Sequence, residues 1–186
     1  MTGDTGLLGG AFDPPHMGHV ALARAAVDQL QLERLVIVVV AEPGHRGVHA
    51  SAETRLELAR MAFPGHDVEL DRHARTVDML RDGPWRDPVF LVGADEFAGF
   101  AGWKEPDAVL ELARLGVASR PGYPRERLDG VLAGLAHPER VHFFEIEPVP
   151  VPSSEIRERV AGGAPIDGLV PPAVAAEIAG RGLYRR

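Results

Sequence analysis

The chain has no cysteine. Disulfides, zinc–thiolate sites and cysteine nucleophiles are therefore excluded, and any metal must be held by oxygen or imidazole, although the absence says little about compartment. It also lacks a long apolar run: the longest, residues 35–41, is far short of the roughly 20 residues a bilayer crossing needs. Met1 opens no basic-then-apolar leader. The expectation is a soluble, cytoplasmic protein without a membrane partner. Basic charge is in deficit too, with 20 Lys and Arg against 27 Asp and Glu and a net charge of -7. That argues against a non-specific nucleic-acid binder, whose affinity rests on cations neutralising phosphates. A small anionic ligand in a local basic pocket stays open.

At 186 residues, 45% hydrophobic and 25% charged, the chain suits one globular domain over residues 1–186 with a well-buried core. Its apolar runs are short and bounded by glycine or proline: 6–12, 35–40, 88–92, 115–118 and 141–144. Helix-period stretches separate them. Residues 17–30 repeat Val20, Ala23, Val27 and Leu30 on one face, and 52–63 follow Ser51 as N-cap. Such alternation predicts a doubly wound parallel sheet with helices on both faces. Residues 42–50 show no periodicity and read as a loop leaving the second strand, where doubly wound sheets line a ligand crevice. The proline-rich 148–152 leads into a helix starting near Ser153, and the chain ends in a helix with proline at its start and Gly180 or Gly182 near its stop.

Chemistry concentrates in "LLGGAFDPPHMGHVALA", residues 7–23. Gly9 and Gly10 permit close backbone approach at a strand end, and the helix that follows aims its N–H groups at the same space, an anion-seeking arrangement. The stretch is neither GxGxxG nor a Walker A loop, so hydride transfer and P-loop chemistry lose their main support. His16 and His19, three apart at a helix start, can donate to phosphate oxygens in one pocket. Ser153, Ser154 and Arg157 place hydroxyls at a helix start and a guanidinium one turn in; alone, this reads as an N-cap and a solvated arginine. Asp95 stands where a strand ends and also suits helix capping. Trp103 can stack on a planar ring or sit in the core.

"GGAFDPPHMGH" resembles the "GGTFDPxHxGH" signature of the HxGH nucleotidyltransferases, and the likeness runs along nearly the whole chain. "PGHR", "RLELARMAF", "TVDML", "FLVGADEF", Trp103, "ASRPG", "SSEIRERV" and "GLVPPAVAAEIAGRGLY" are similar, in order and spacing, to the bacterial nicotinate mononucleotide adenylyltransferase family. The resemblance implies a Rossmann-like α/β fold and an enzyme using ATP and a pyridine mononucleotide as partners. Mg²⁺ would accompany the ATP, with no metal-ligand residues assigned. By that likeness His16, His19 and Arg157 are the catalytic contacts to the ATP phosphates, and Gly9, Gly10, Phe12, Asp95, Ser153 and Ser154 complete the ATP side. Ala11, Arg46, Thr76, Trp103 and Arg120 fall on the acceptor side. A homo-oligomer is left open.

The chain departs from that pattern at several places. Ala11 replaces a hydroxyl residue, and Val151 and Pro152 replace the Ile-Ser of "ISSTxIR". "HART", residues 73–76, keeps only Thr76 of "PSYT", Lys104 stands where an aromatic residue is usual, and the loop over 41–51 is short. The departures gather on the acceptor side, so ATP use is better supported than nicotinate selectivity. Two other readings remain: a different acceptor such as nicotinamide mononucleotide, and a nucleotide-binding module without catalysis.

Overall fold

The computed structural model describes residues 4–44, 47–119, 125–147 and 152–185. Through them run β1 (Thr5–Gly10), α1 (Met17–Gln29), β2 (Arg34–Val40), α2 (Ala52–Ala62), β3 (Asp67–Asp71), α3 (Thr76–Asp82), β4 (Val89–Gly93), α4 (Ala94–Phe97) and α5 (Pro106–Leu112). They continue as β5 (Arg114–Ser119), α6 (Arg125–Leu132), β6 (Val141–Glu145), α7 (Ser153–Ala161) and α8 (Pro172–Arg181). The strands form one sheet in the order β3-β2-β1-β4-β5-β6, parallel throughout.

β2 shows why the sheet is buried on both sides. It is an unbroken run of Leu, Ile and Val after Arg34, residues whose branching suits a pleated surface. Leu35, Ile37 and Val39 pack with Ala23 and Ala26 of α1, Leu58 of α2, Ile156 of α7 and Ile178 of α8. Val36 and Val38 join Val77 and Leu80 of α3, Phe97 of α4, Val109 of α5 and Leu128 of α6 on the other face. The fold is the expected doubly wound α/β arrangement. No described helix is long and apolar enough to cross a membrane.

Local signals place the helix ends. Ser51 Oγ accepts the Thr54 N–H at 3.2 Å to cap α2. Pro172 opens α8, and Gly182 closes it at φ +62°, where a side chain is disfavoured.

Two elements differ from expectation. β3 was not anticipated, because Asp-Val-Glu-Leu-Asp contains no apolar run. It is an edge strand that packs only Val68 and Leu70 on the core, and charge on an edge strand discourages further pairing. The first strand was expected to reach residue 12 but ends at Gly10. Phe12 turns the chain at φ +50° and its ring folds inward.

Candidate active site

The chain order reverses beside β1, whose neighbours are β2 and β4. Connections leaving Gly10 and Gly93 diverge to opposite faces, opening a crevice at the strand C-termini. The two glycines ending β1 serve packing. A Cβ on Gly9 would lie 3.2 Å from the Phe90 ring, and one on Gly10 would lie 3.0 Å from the Phe12 ring.

On one side α1 begins with both histidines. His16 is the N-cap: its Nδ1 accepts the Gly18 N–H at 3.1 Å, while its own N–H donates to His19 Nδ1 at 3.2 Å. This is a capping box in which imidazoles replace the usual hydroxyl and carboxylate. Since each Nδ1 accepts, these bonds assign the hydrogen of each neutral ring to Nε2. The ring centroids are 3.8 Å apart. Burial lowers the His16 pKa to about 4, so at neutral pH it is a hydrogen-bond donor without charge. Phe12, expected to contact ATP, instead packs its ring 4.9 Å from His19 and 5.7 Å from Phe63. At 1% exposure the Phe12 ring packs inward against that imidazole.

α7 docks against the same segment. Ser153 Oγ donates to the Pro14 carbonyl at 3.0 Å, and Arg157 Nη1 donates to the Asp13 carbonyl at 2.7 Å. Pro152 at the N-cap supplies no side-chain bond, so the helix start is not capped by its own side chains. Ser154, one residue on, faces a different cavity of about 690 Å³ that Arg157 also borders.

Beneath this side lie two charged groups that were not among the expected site residues. The Asp13 carboxylate, 3% exposed, accepts from His49 N at 2.6 Å, Ala50 N at 3.2 Å and the Tyr184 hydroxyl at 2.8 Å. Burial, and then the Asp13 charge, push the Tyr184 pKa up, keeping the phenol a donor. Arg55, fully buried, gives Nε to the Ala50 carbonyl, Nη1 to those of Ala11 and Val40, and Nη2 to that of Ala41, at 2.6–3.1 Å. Desolvation lowers its pKa and Asp13 opposes the shift. One guanidinium thus ties together the end of β2, the turn after β1 and the start of α2.

The other side is a cavity of about 600 Å³ bordered by Gly9, Gly10, Ala11, Thr76, Asp95 and Trp103. Asp95 is the second residue of α4, whose N-cap is Gly93, so the aspartate does not cap that helix. Trp103 packs on Phe100 at 5.2 Å and edge-on to Phe90 at 6.2 Å while bordering the cavity, so it is both core and wall. Thr76 opens α3. The cavity rim is charged: His73 lies between Asp71, at 2.6 Å from Nδ1, and Asp82, at 3.1 Å from Nε2, and both carboxylates raise its pKa. Lys104 Nζ reaches the two Asp78 oxygens at 2.9 and 3.0 Å. Arg46 and Arg120 lie outside the described residues. Among the described residues no group of three or more His, Asp or Glu is placed to hold a metal ion.

Comparison with known proteins places this arrangement. The cytidylyltransferase-like profile matches residues 7–159. The chain belongs to the cytidylyltransferase-like family. Within it, a Rubrobacter xylanophilus protein is 36% identical over 97% of this chain and 91% of its own length. A Bordetella petrii protein is 39% identical over 97% of this chain and 98% of its own. Each carries the name "Probable nicotinate-nucleotide adenylyltransferase". Plasmodium falciparum nicotinic acid mononucleotide adenylyltransferase complexed with NaAD superposes with TM-score 0.77, covering 98% of this chain and 97% of that one at 15% identity. At that identity the likeness is one of fold.

The glycine–histidine segment and the distant Ser-Ser-x-x-Arg are 134 residues apart in sequence, from His19 to Ser153, and the structure brings the second onto residues 13–14 of the first. Asp13 and Tyr184 lie within the family-like segments, but sequence alone gives them no role. An aspartate inside an otherwise apolar, proline-flanked stretch was their available signal, since a buried carboxylate demands donors. For Arg55 the signal was weaker: an arginine one turn into a helix otherwise reads as surface.

Proposed function

We propose that this protein, acting as one nucleotidyltransferase domain in the cytoplasm, transfers the adenylyl group of ATP to nicotinate mononucleotide, giving deamido-NAD and pyrophosphate. The observation that carries the proposal is near-full-length identity of 36–39% to relatives named for this activity. Its support in the site is a two-sided crevice, with the His16–His19 pair and Arg157 on one side and the Thr76–Trp103 cavity on the other.

A 5′-phosphate oxygen of the acceptor attacks the α-phosphorus of ATP; that bond forms as the α-phosphorus to bridging-oxygen bond breaks, and pyrophosphate carries away the electron pair. The acceptor brings its own nucleophile, so the protein's work is positioning and charge stabilisation. His16 and His19, fixed with hydrogens on Nε2, donate to phosphate oxygens. Arg157 answers the charge growing on the leaving pyrophosphate. Gly9 and Gly10 leave the backbone open to the reacting phosphates, and Ser153 and Ser154 present the start of α7 to the triphosphate. Asp95 faces the nucleotide, while Thr76 and Trp103 hold the pyridine end and Ala11 leaves room beside it. Arg46 and Arg120 are proposed as further acceptor cations on sequence grounds alone. Magnesium enters as MgATP, carried by the triphosphate.

The partners are thus two small nucleotides, in keeping with a net charge of -7. The test is a pyrophosphate-release assay with MgATP across acceptor mononucleotides. Turnover with nicotinate mononucleotide, at least tenfold above its amide in kcat/KM, is expected for roughly 1.4 kcal/mol of discrimination. No turnover with either acceptor would end the proposal, and equal turnover would move it to the broader acceptor class.

A further inference from the structure

Four carboxylates, Glu42, Asp71, Asp95 and Glu96, border the acceptor-side cavity. Three basic side chains among the described residues stand against them: His73, Arg75 and Lys104. Two of these are already neutralised. His73 is clamped between Asp71 and Asp82, and Lys104 is held by both oxygens of Asp78. The Arg75 guanidinium has a different partner, the carbonyl of the preceding residue: Nη1 donates to Ala74 O at 3.1 Å. Such a local bond leaves the positive charge uncompensated, and a carbonyl is readily exchanged for a phosphate or carboxylate, which binds guanidinium in a bidentate, charge-assisted way.

Its placement is built by residues 73–76, the "HART" segment that keeps only Thr76 of the resembled "PSYT" pattern. Arg75 occupies the N-cap position of α3 in an extended conformation, with no side-chain cap bond of its own. The preceding turn is fixed on the end of β3, where the Asp71 carboxylate takes both the backbone N–H and the ring of His73. Across the cavity mouth Gly44 offers no side chain, and a Cβ there would already touch the guanidinium at 4.0 Å. The long side chain therefore borders the cavity beside Gly44 with an anchored turn behind it.

We infer that Arg75 is a specificity-determining residue of the acceptor site, its guanidinium binding an anionic group of the acceptor mononucleotide. This rests on the reading of the protein as an adenylyltransferase. The shared chemistry is an oxyanion, which the acceptor offers twice, as its 5′-phosphate and as its ring carboxylate.

The experiment compares wild type, Arg75→Gln, Arg75→Lys and the neighbouring exposed Arg72→Gln, whose side chain does not border the cavity. Steady-state pyrophosphate release is measured with nicotinate and with nicotinamide mononucleotide, varying acceptor and ATP separately. Loss of a charge-assisted pair predicts that Arg75→Gln raises acceptor KM about tenfold or more. The ATP KM should hold within about twofold, with Arg75→Lys intermediate and Arg72→Gln like wild type. A rise confined to the nicotinate acceptor assigns the carboxylate, and a rise for both assigns the phosphate. Unchanged acceptor KM values in Arg75→Gln, or an equal rise in Arg72→Gln, would overturn the inference. Absence of turnover in the wild type would instead overturn the adenylyltransferase reading. Because Arg75 is exposed, an unchanged thermal melt is expected and confirms that the variant is folded.

Discussion

The two sides of the crevice hold their histidines in opposite ways. His16 is part-buried, tied through Nδ1 to backbone N–H, and kept neutral because desolvation lowers its pKa to about 4. His73 is 37% exposed in its side chain, faces a carboxylate at each ring nitrogen, and is drawn toward the imidazolium. The donor side is therefore made of neutral N–H groups and one arginine docked on backbone, fixed by burial and helix geometry. The acceptor side is made of exposed charges balanced against one another. Neutral donors in a preorganised frame suit transition-state stabilisation, since they cost little reorganisation as charge develops. Charge pairs at a wet rim are individually weak and exchangeable, which suits selecting and releasing an acceptor.

The contrast can be broken most sharply at Arg157. Arg157→Ala should lower kcat by roughly 100- to 1,000-fold, about 3–4 kcal/mol of transition-state charge stabilisation, with a small change in acceptor KM. Pyrophosphate release at saturating substrates measures it, and a rate within threefold of wild type would mean that the donor side does not carry the chemistry.

Arg55 ties the end of β2 to the turn after β1 and the start of α2, and its loss should be felt as stability. Arg55→Met strands the carbonyls of Ala11, Val40, Ala41 and Ala50, at a cost of about 3 kcal/mol or more. Denaturant melts at constant m-value test this; a loss below about 1 kcal/mol would show that water replaces the guanidinium.

The pH responses should have opposite signs. His16 binds its proton at about pH 4 when folded, against roughly 6.5 when unfolded. The unfolded chain therefore takes up more protons below pH 6.5, and the His16 contribution to stability declines as pH falls toward 4, by at most about 3 kcal/mol. His16→Asn, which can still cap α1, should flatten that dependence in melts at pH 7 and 4.5; identical slopes in both proteins would count against a buried neutral ring.

The smallest effect is expected at His73. Its folded pKa is raised, so its contribution is complete below about 6.5 and is lost as pH climbs through the folded value. Because the group is exposed, the effect is screened: a few-fold rise in acceptor KM above neutral pH, absent in His73→Asn. A parallel rise in that variant would detach the clamp from acceptor binding.

Several helix ends around the candidate site are set by local chemistry and so are close to the level at which sequence can be read. The His16–His19 capping box spans four residues, and Ser51, Pro172 and Gly182 mark helix ends through short-range chemistry. β2 declares itself as a run buried on both faces, whereas β3, an edge strand packing only Val68 and Leu70, does not. Phe12 misled for a related reason: its motif points toward the ligand, but the turn at φ +50° sends the ring into the core. Arg55 and Asp13 were illegible as a pair of hubs, because their partners are carbonyls and N–H groups from distant segments.

By itself the sequence determined the alternation of strands and helices and the family pattern, since periodicity and motif spacing are set along the chain. Only the tertiary structure decided that residues 13–16 receive Ser153 and Arg157, that four carbonyls converge on Arg55, and that His73 and Lys104 are neutralised while Arg75 is not. Those outcomes depend on desolvation and on distances between groups remote in sequence, which exist only once the sheet has set its order.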